Sequence, residues 1–167
     1  MNITIKKPET DKEIEGKGYV HYKSWQETYP GLIDQKYLDS MSVEKCVAIA
    51  YKWRDDDMFV AKDGDDVVGF VCYGKCRDEE LSDAGEIYAV YVLAEYCGKG
   101  VGRALMEAAL DSLGQPRIAV WVLQGNTRAI RFYQKCGFDF DGMKKELKLG
   151  TAVYELRMVL NKNNENK

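Results

Sequence analysis

A chain of 167 residues is long enough to bury roughly two-thirds of its unfolded surface in one domain, so it needs no disulfide or metal staple. Hydrophobic residues make up 46% and charged residues 31%, a globular mixture that excludes disordered and low-complexity architectures. With 24 Lys and Arg against 27 Asp and Glu, the net charge of -3 gives no bulk attraction for polyphosphate and argues against nucleic acid as a partner.

Asn2 to Lys6 alternates apolar and polar residues and stops before Pro8, which predicts a strand. Ile14, Gly18, Tyr22, Trp25 and Tyr29 recur at helical spacing and define one face of a helix ended by Pro30-Gly31. A short helix is expected over Asp34 to Ser40. Ser42 then caps another, with Val43, Cys46, Val47 and Ala50 on one side. Met58 to Ala61, the turn Asp63-Gly64-Asp65-Asp66, and Val67 to Tyr73 read as a β-hairpin.

A polar loop from Arg77 to Gly85 leads into the strand Glu86 to Leu93. After the glycine run at 98–102 comes a helix through Leu113, with Val101, Ala104, Leu105, Ala108 and Ser112 expected inward. Arg117 to Leu123 reads as a strand, and Gly125-Asn126-Thr127 opens a last helix ending before Gly137. Phe138 to Gly142 and Thr151 to Leu160 form a closing strand pair, and Asn161 to Lys167 reads as a disordered polar tail. This order predicts one mixed α/β domain.

No apolar run approaches the ~20 residues of a membrane span, and no signal segment follows the first charges. The five cysteines are an odd set with no CxxC pair, and one histidine cannot complete a zinc pattern, so no metal is expected. Reduced thiols in a cytoplasmic protein are the expectation.

Gly98, Gly100 and Gly102 are expected in the first turn of their helix, where each costs about 1 kcal/mol relative to alanine. One glycine would serve a tight turn. Three suit a backbone that a phosphate approaches closely, with the helix dipole and the cations of Lys99 and Arg103 beside it. The spacing G-x-G-x-G is not the dinucleotide fingerprint, no acidic residue closes the next strand, and no GK[ST] is present.

Cys97-Gly98-Lys99-Gly100-Val101-Gly102 resembles the coenzyme A loop of GCN5-related N-acetyltransferases (GNAT), written [RQ]-x-x-G-x-[GA]. The segment Asn126 to Phe138 resembles that family's second motif, N-x-x-A-x-x-x-Y-x-x-x-G-F. Ser24 to Leu32 is similar to the first helix of a bacterial subgroup that includes PaiA-type polyamine acetyltransferases. The resemblance covers nearly the whole chain. It implies an acetyltransferase domain over 1–160: a mostly antiparallel sheet of about seven strands flanked by about four helices.

It further implies direct transfer of the acetyl group of acetyl-CoA to a primary amine, with a polyamine or another small molecule as acceptor and a peptide amine as the alternative. A non-catalytic acyl-CoA-binding module is the competing class. No membrane partner is implied, and the oligomer is left open, a homodimer included.

Residue by residue, the resemblance places Tyr91 and Val92 on pantetheine through their backbone groups. Cys97, Gly98, Lys99, Gly100, Val101, Gly102, Arg103, Asn126 and Arg131 fall on the coenzyme, and Tyr133 on the tyrosine that protonates the departing sulfur. Trp25 and Tyr29 fall on the acceptor side. Glu86 matches the glutamate base of some relatives, or else is an exposed strand-start carboxylate. Arg128, Arg131 and Lys135 are either a solvated face or contacts to the coenzyme 3′-phosphate, and Asn126 caps its helix, holds coenzyme, or does both. Cys97 stands where the family usually has Arg or Gln and supplies neither charge nor amide donor. Asp78, Glu79, Glu80, Asp83 and Glu86 offer negative charge to a cationic acceptor.

Overall fold

Thr10 opens the first long helix, α1 (Asp11–Thr28), with a capping box in the computed structural model, which describes residues 1–164. The Thr10 hydroxyl accepts from Glu13 N at 3.2 Å, and Glu13 Oε2 accepts from Thr10 N at 3.3 Å. Glu13 also takes Glu9 N at 2.7 Å, Lys6 Nζ at 2.9 Å and Lys62 Nζ at 3.0 Å. Burial opposes its charge, but these donors outweigh burial and hold the carboxyl at about 2. A depressed carboxyl stabilises the fold above its ordinary value of 4.5 and loses that contribution as pH falls toward 2. In thermal melts across that window, Glu13→Gln should flatten the acid limb seen in the parent. An unchanged limb would show that Glu13 does not anchor this corner.

The remaining elements follow the predicted order. Strand β1 (Ile3–Lys6) precedes α1, and α2 (Gln35–Ser40) and α3 (Val43–Lys52) follow it. Next come β2 (Met58–Asp63), β3 (Asp66–Lys75) and β4 (Gly85–Val92), then α4 (Val101–Ser112), β5 (Arg117–Leu123) and α5 (Thr127–Lys135). Strands β6 (Asp139–Leu149) and β7 (Thr151–Asn161) close the chain. They form one seven-stranded sheet in the order β1-β2-β3-β4-β5-β7-β6. Every neighbouring pair is antiparallel except β4–β5. That parallel pair holds only from Gly85 to Ile87 against Ile118 to Val120.

Successive residues of a strand face opposite sides of a sheet, which sorts the helices into two layers. Lys17 of α1 stands 4.9 Å over the Phe70 ring, and His21 stacks on Tyr91, the register partner of Phe70. Leu105 of α4 approaches Gly69, on the other face. Helix α3 lies so close to α1 that a Cβ on Gly18 would sit 2.6 Å from Val47 Cα. The main core includes Leu105, Ile118 and Met158, all fully buried, while Tyr29, Ile33, Leu38 and Leu123 form a separate smaller cluster.

The α-helices number five among the described residues, in line with the expected fold, and three expectations change. On α4 the buried residues are Val101, Leu105, Met106 and Ala109, while Ser112 is exposed and Ala104 and Ala108 are half-buried. The small residues of α4 leave its stripe ambiguous in sequence, and packing on β2 and β3 rotates it. Strand β6 runs on to Leu149, because a strand at the sheet edge tolerates Lys144, Lys145, Glu146 and Lys148. Order also extends past Leu160. Asn161 pairs with Arg117, a 3-10 turn covers Lys162–Asn164, and Lys162 Nζ donates to Leu110 O at 2.7 Å and to Leu113 O. The rest of the expected tail, 165–167, lies outside the described residues.

Candidate active site

Gly98 and Gly100 have φ of +76° and +85°, backbone that favours glycine whatever else occupies the loop. A Cβ built on either would meet no protein atom within 4 Å, so the space above the loop is open. Gly100 caps α4 in the left-handed conformation without a side-chain hydrogen bond, leaving the first-turn N–H groups to an outside acceptor. Only Gly102 lies inside the helix, where its missing Cβ admits the Phe132 ring from α5, 3.3 Å from that position. The expectation of three glycines in one helical turn is thus corrected: two shape the loop and one permits helix packing.

Beyond Ile87, β4 and β5 are no longer paired, and a cavity of about 420 Å³ opens at the divergence. Residues Tyr88 to Val92 line it from β4 and Trp121 to Leu123 from β5. The glycine loop, Arg103, Asn126, Arg128 and Lys135 line its basic end. The cradle of unpartnered amides, two open glycines and three cations fits a phosphorylated coenzyme. Cys97, also on the wall, directs its Sγ to Val92 O at 3.6 Å.

The other end is aromatic. Tyr29 and Tyr91 share a hydrogen bond between their hydroxyls at 3.1 Å, and Trp121 and Leu123 continue the wall. Tyr133 joins the two ends: it is 7% exposed, packs on Phe132 and Phe138, and lines the same cavity. Burial first, then Tyr29, Cys136 and Glu155, push its phenol well above the ordinary value, so it stays protonated at neutral pH.

The sequence profile described as the acetyltransferase (GNAT) family matches residues 20–138. The chain belongs to this family. A Bacillus subtilis relative, the uncharacterized N-acetyltransferase YuaI, is 31% identical and aligns with 96% of this chain and 99% of its own. The chain is an acetyl-CoA-dependent N-acetyltransferase. The spermine/spermidine N(1)-acetyltransferase of Bacillus subtilis is 32% identical over 84 residues, covering 46% of this chain and 55% of its own. The crystal structure of the PaiA N-acetyltransferase of Thermoplasma acidophilum, in complex with coenzyme A, superposes with a TM-score of 0.76. It covers 96% of this chain and 99% of that one at 22% identity, a likeness of fold.

Within this GNAT fold, Tyr29, Tyr91, Val92, Cys97, Gly98, Gly100, Gly102, Arg103, Asn126 and Tyr133 all reach the cavity wall. Asn126 also caps α5, accepting from Ala129 N at 3.2 Å. Val101 does not reach the wall, because its side chain is buried in the core. Lys99 lies over the Tyr96 ring, and Arg131 is exposed off the wall, while Arg128 and Lys135 of the same helix reach it. Trp25 stands behind Tyr29, with ring centroids 4.8 Å apart, and supports the wall without forming it.

Glu86 departs from both readings of it. Its side chain is 1% exposed, so it is no surface carboxylate, and it is off the cavity wall. Oε1 accepts from Arg77 N at 3.0 Å and Oε2 from Arg77 Nη2 at 2.6 Å. The acidic loop is likewise engaged. Asp78 and Glu80 bind Arg157 at 3.1 and 2.5 Å, and Asp83 binds Arg117 at 2.9 Å. Of the five carboxylates expected to face an acceptor, Asp78, Glu80, Asp83 and Glu86 are paired with these arginines.

Sequence reasoning missed Ser24, Trp121 and Glu155, all on the wall. Glu155 carried one readable signal, a carboxylate in the middle of a predicted strand, but only the sheet order shows that strand to be internal. No helix among the described residues is long and apolar enough to cross a membrane, and no three His, Cys, Asp or Glu side chains gather there as a metal site. The five cysteines are free.

Proposed function

We propose that this N-acetyltransferase acetylates a primary amine on a small cationic molecule such as a polyamine, with Tyr133 as the proton donor to the departing coenzyme sulfur. The observation that carries this reading is the position of Tyr133 on one cavity, between amides and cations at one end and an aromatic box at the other. The basic end suits the coenzyme phosphates. The box suits an alkylammonium, which aromatic faces attract. The partial likeness to the spermine/spermidine acetyltransferase supports the polyamine class.

An alkylamine with a pKa of ~10.4 lies about 3.4 units above neutral pH, so freeing its lone pair costs about 4.6 kcal/mol. A site for such an acceptor therefore needs a group to take that proton and another to protonate the thiolate. The protonated phenol of Tyr133 suits the second role.

Release of free coenzyme A thiol from acetyl-CoA, followed across polyamines, amino acids and peptides, tests the reading. Polyamines should give turnover well above the peptides. Turnover with peptide amines alone would move the acceptor to that class, and hydrolysis-level release with every amine would reduce the site to acyl-CoA binding.

A further inference from the structure

Glu155 lies on β7 opposite Leu123, the last residue of β5, and its side chain is 21% exposed. Its nearest cation is Lys145 on β6, 3.7 Å away and itself drawn over the Trp121 ring at 4.1 Å. That is a loose pair, in contrast to the Glu86 carboxylate, both of whose oxygens are held by Arg77. Glu155 is on the cavity wall, and Glu86 is not. A buried hydroxyl lies beside the same cavity: Ser24 is on its wall and 2% exposed, and its Oγ has no hydrogen-bond partner among the described residues. An unpaired buried hydroxyl and a loosely paired carboxylate on an aromatic-walled cavity call for a polar guest.

We propose that Glu155 pairs with the acceptor's ammonium group and takes its proton, with the Ser24 hydroxyl holding the same nitrogen or a second amine of the acceptor. This rests on the amine-acetylating reading above. Glu155 accepts one proton from the ammonium, and the freed nitrogen forms a bond to the acetyl carbonyl carbon. The carbon–sulfur bond then breaks with its electron pair on sulfur. Tyr133 protonates the sulfur, and the extra proton on nitrogen restores the phenol. Glu155 returns its own proton to solvent, so amide, coenzyme A and one proton are the products.

The surroundings suit a base. Burial raises the Glu155 carboxyl, Lys145 and Arg77 oppose that rise, and Glu86 adds to it. The Tyr29 phenol, at the C-cap of α1, and the Tyr133 phenol of α5 lie near Glu155, are both raised and stay neutral at pH 7.

Two readouts on the 167-residue chain test the proposal. In the first, calorimetry follows spermidine binding to protein loaded with coenzyme A. Glu155→Gln should weaken it about tenfold or more, since a charged hydrogen-bonded partner is lost. In the second, kcat/KM for the best amine of the panel is followed against pH. Glu155→Gln should lower it on the order of 10²-fold at pH 7, with the loss shrinking as pH approaches the amine's own pKa. Glu155→Asp should recover part of it, and Lys145→Met, which removes the opposing cation, should move the acid limb to higher pH.

Coenzyme-induced thermal stabilisation should be the same in all three variants, which reports that they fold. If spermidine binds through Glu155 but no amine is acetylated, the ammonium pairing holds and the acetylating reading fails. If amines are acetylated and Glu155→Gln stays within threefold of the parent at every pH, the proposal is overturned. It is equally overturned if spermidine binding is unchanged, or if the acid limb disappears in Glu86→Gln instead.

Discussion

Tyr133→Phe is expected to lower turnover on the order of 10²-fold or more while acetyl-CoA binding and melting temperature change little. The substitution keeps the ring, so its packing on Phe132 and Phe138 survives, with centroid separations of 5.5 and 5.9 Å. What it removes is one hydroxyl on the wall of the cavity, held protonated by burial and by Tyr29, Cys136 and Glu155. Pre-steady-state release of thiol separates the chemical step from product release, and the loss should appear in the chemical step. Parallel losses in stability and coenzyme affinity would make Tyr133 a packing residue. Full activity would mean that the thiolate departs without an acid.

Gly100→Val is expected to abolish the rise in melting temperature that acetyl-CoA gives the parent. A ligand at 100 times its dissociation constant adds about 2.7 kcal/mol of stability, several degrees in a domain of this size. At Gly100 two effects combine. The backbone φ of +85° disfavours a β-branched residue, and the added side chain would project into the open space above the loop, where a phosphate must approach the first-turn amides. The strain also lowers the ligand-free melting temperature, so the quantity to read is the difference with and without coenzyme. A difference equal to the parent's would remove the loop from the site.

The architecture was legible because its signals are local. Capping residues, the hairpin turn at Asp63 to Asp66 and the Pro30-Gly31 stop each act within a few positions, and the helices and strands formed where they point. The loop at 97–102 and the helix of Tyr133 were legible for the same reason. Fates decided by distant neighbours were not. Whether Glu86 meets solvent, substrate or a cation depends on Arg77 reaching back across the turn between β3 and β4. Glu155 comes to the cavity only through the register of β5 with β7, which no local pattern encodes. Strand β6 was read short because a charged edge strand has the composition of a loop.

The separation of two of the interior's three clusters bears on how specificity can change. The walls that suit coenzyme grow out of the main core through β4, α4 and α5, whereas Tyr29 and Leu123, on the side proposed for the acceptor, belong to the satellite formed with Ile33 and Leu38. Tyr91 packs against both and is their junction. Repacking Ile33 or Leu38 would thus reshape the chamber offered to the amine while leaving the glycine loop on its own foundation. A lineage or a designer gains a separate dial for the acceptor, and Tyr91 is the position where turning it would begin to disturb the donor.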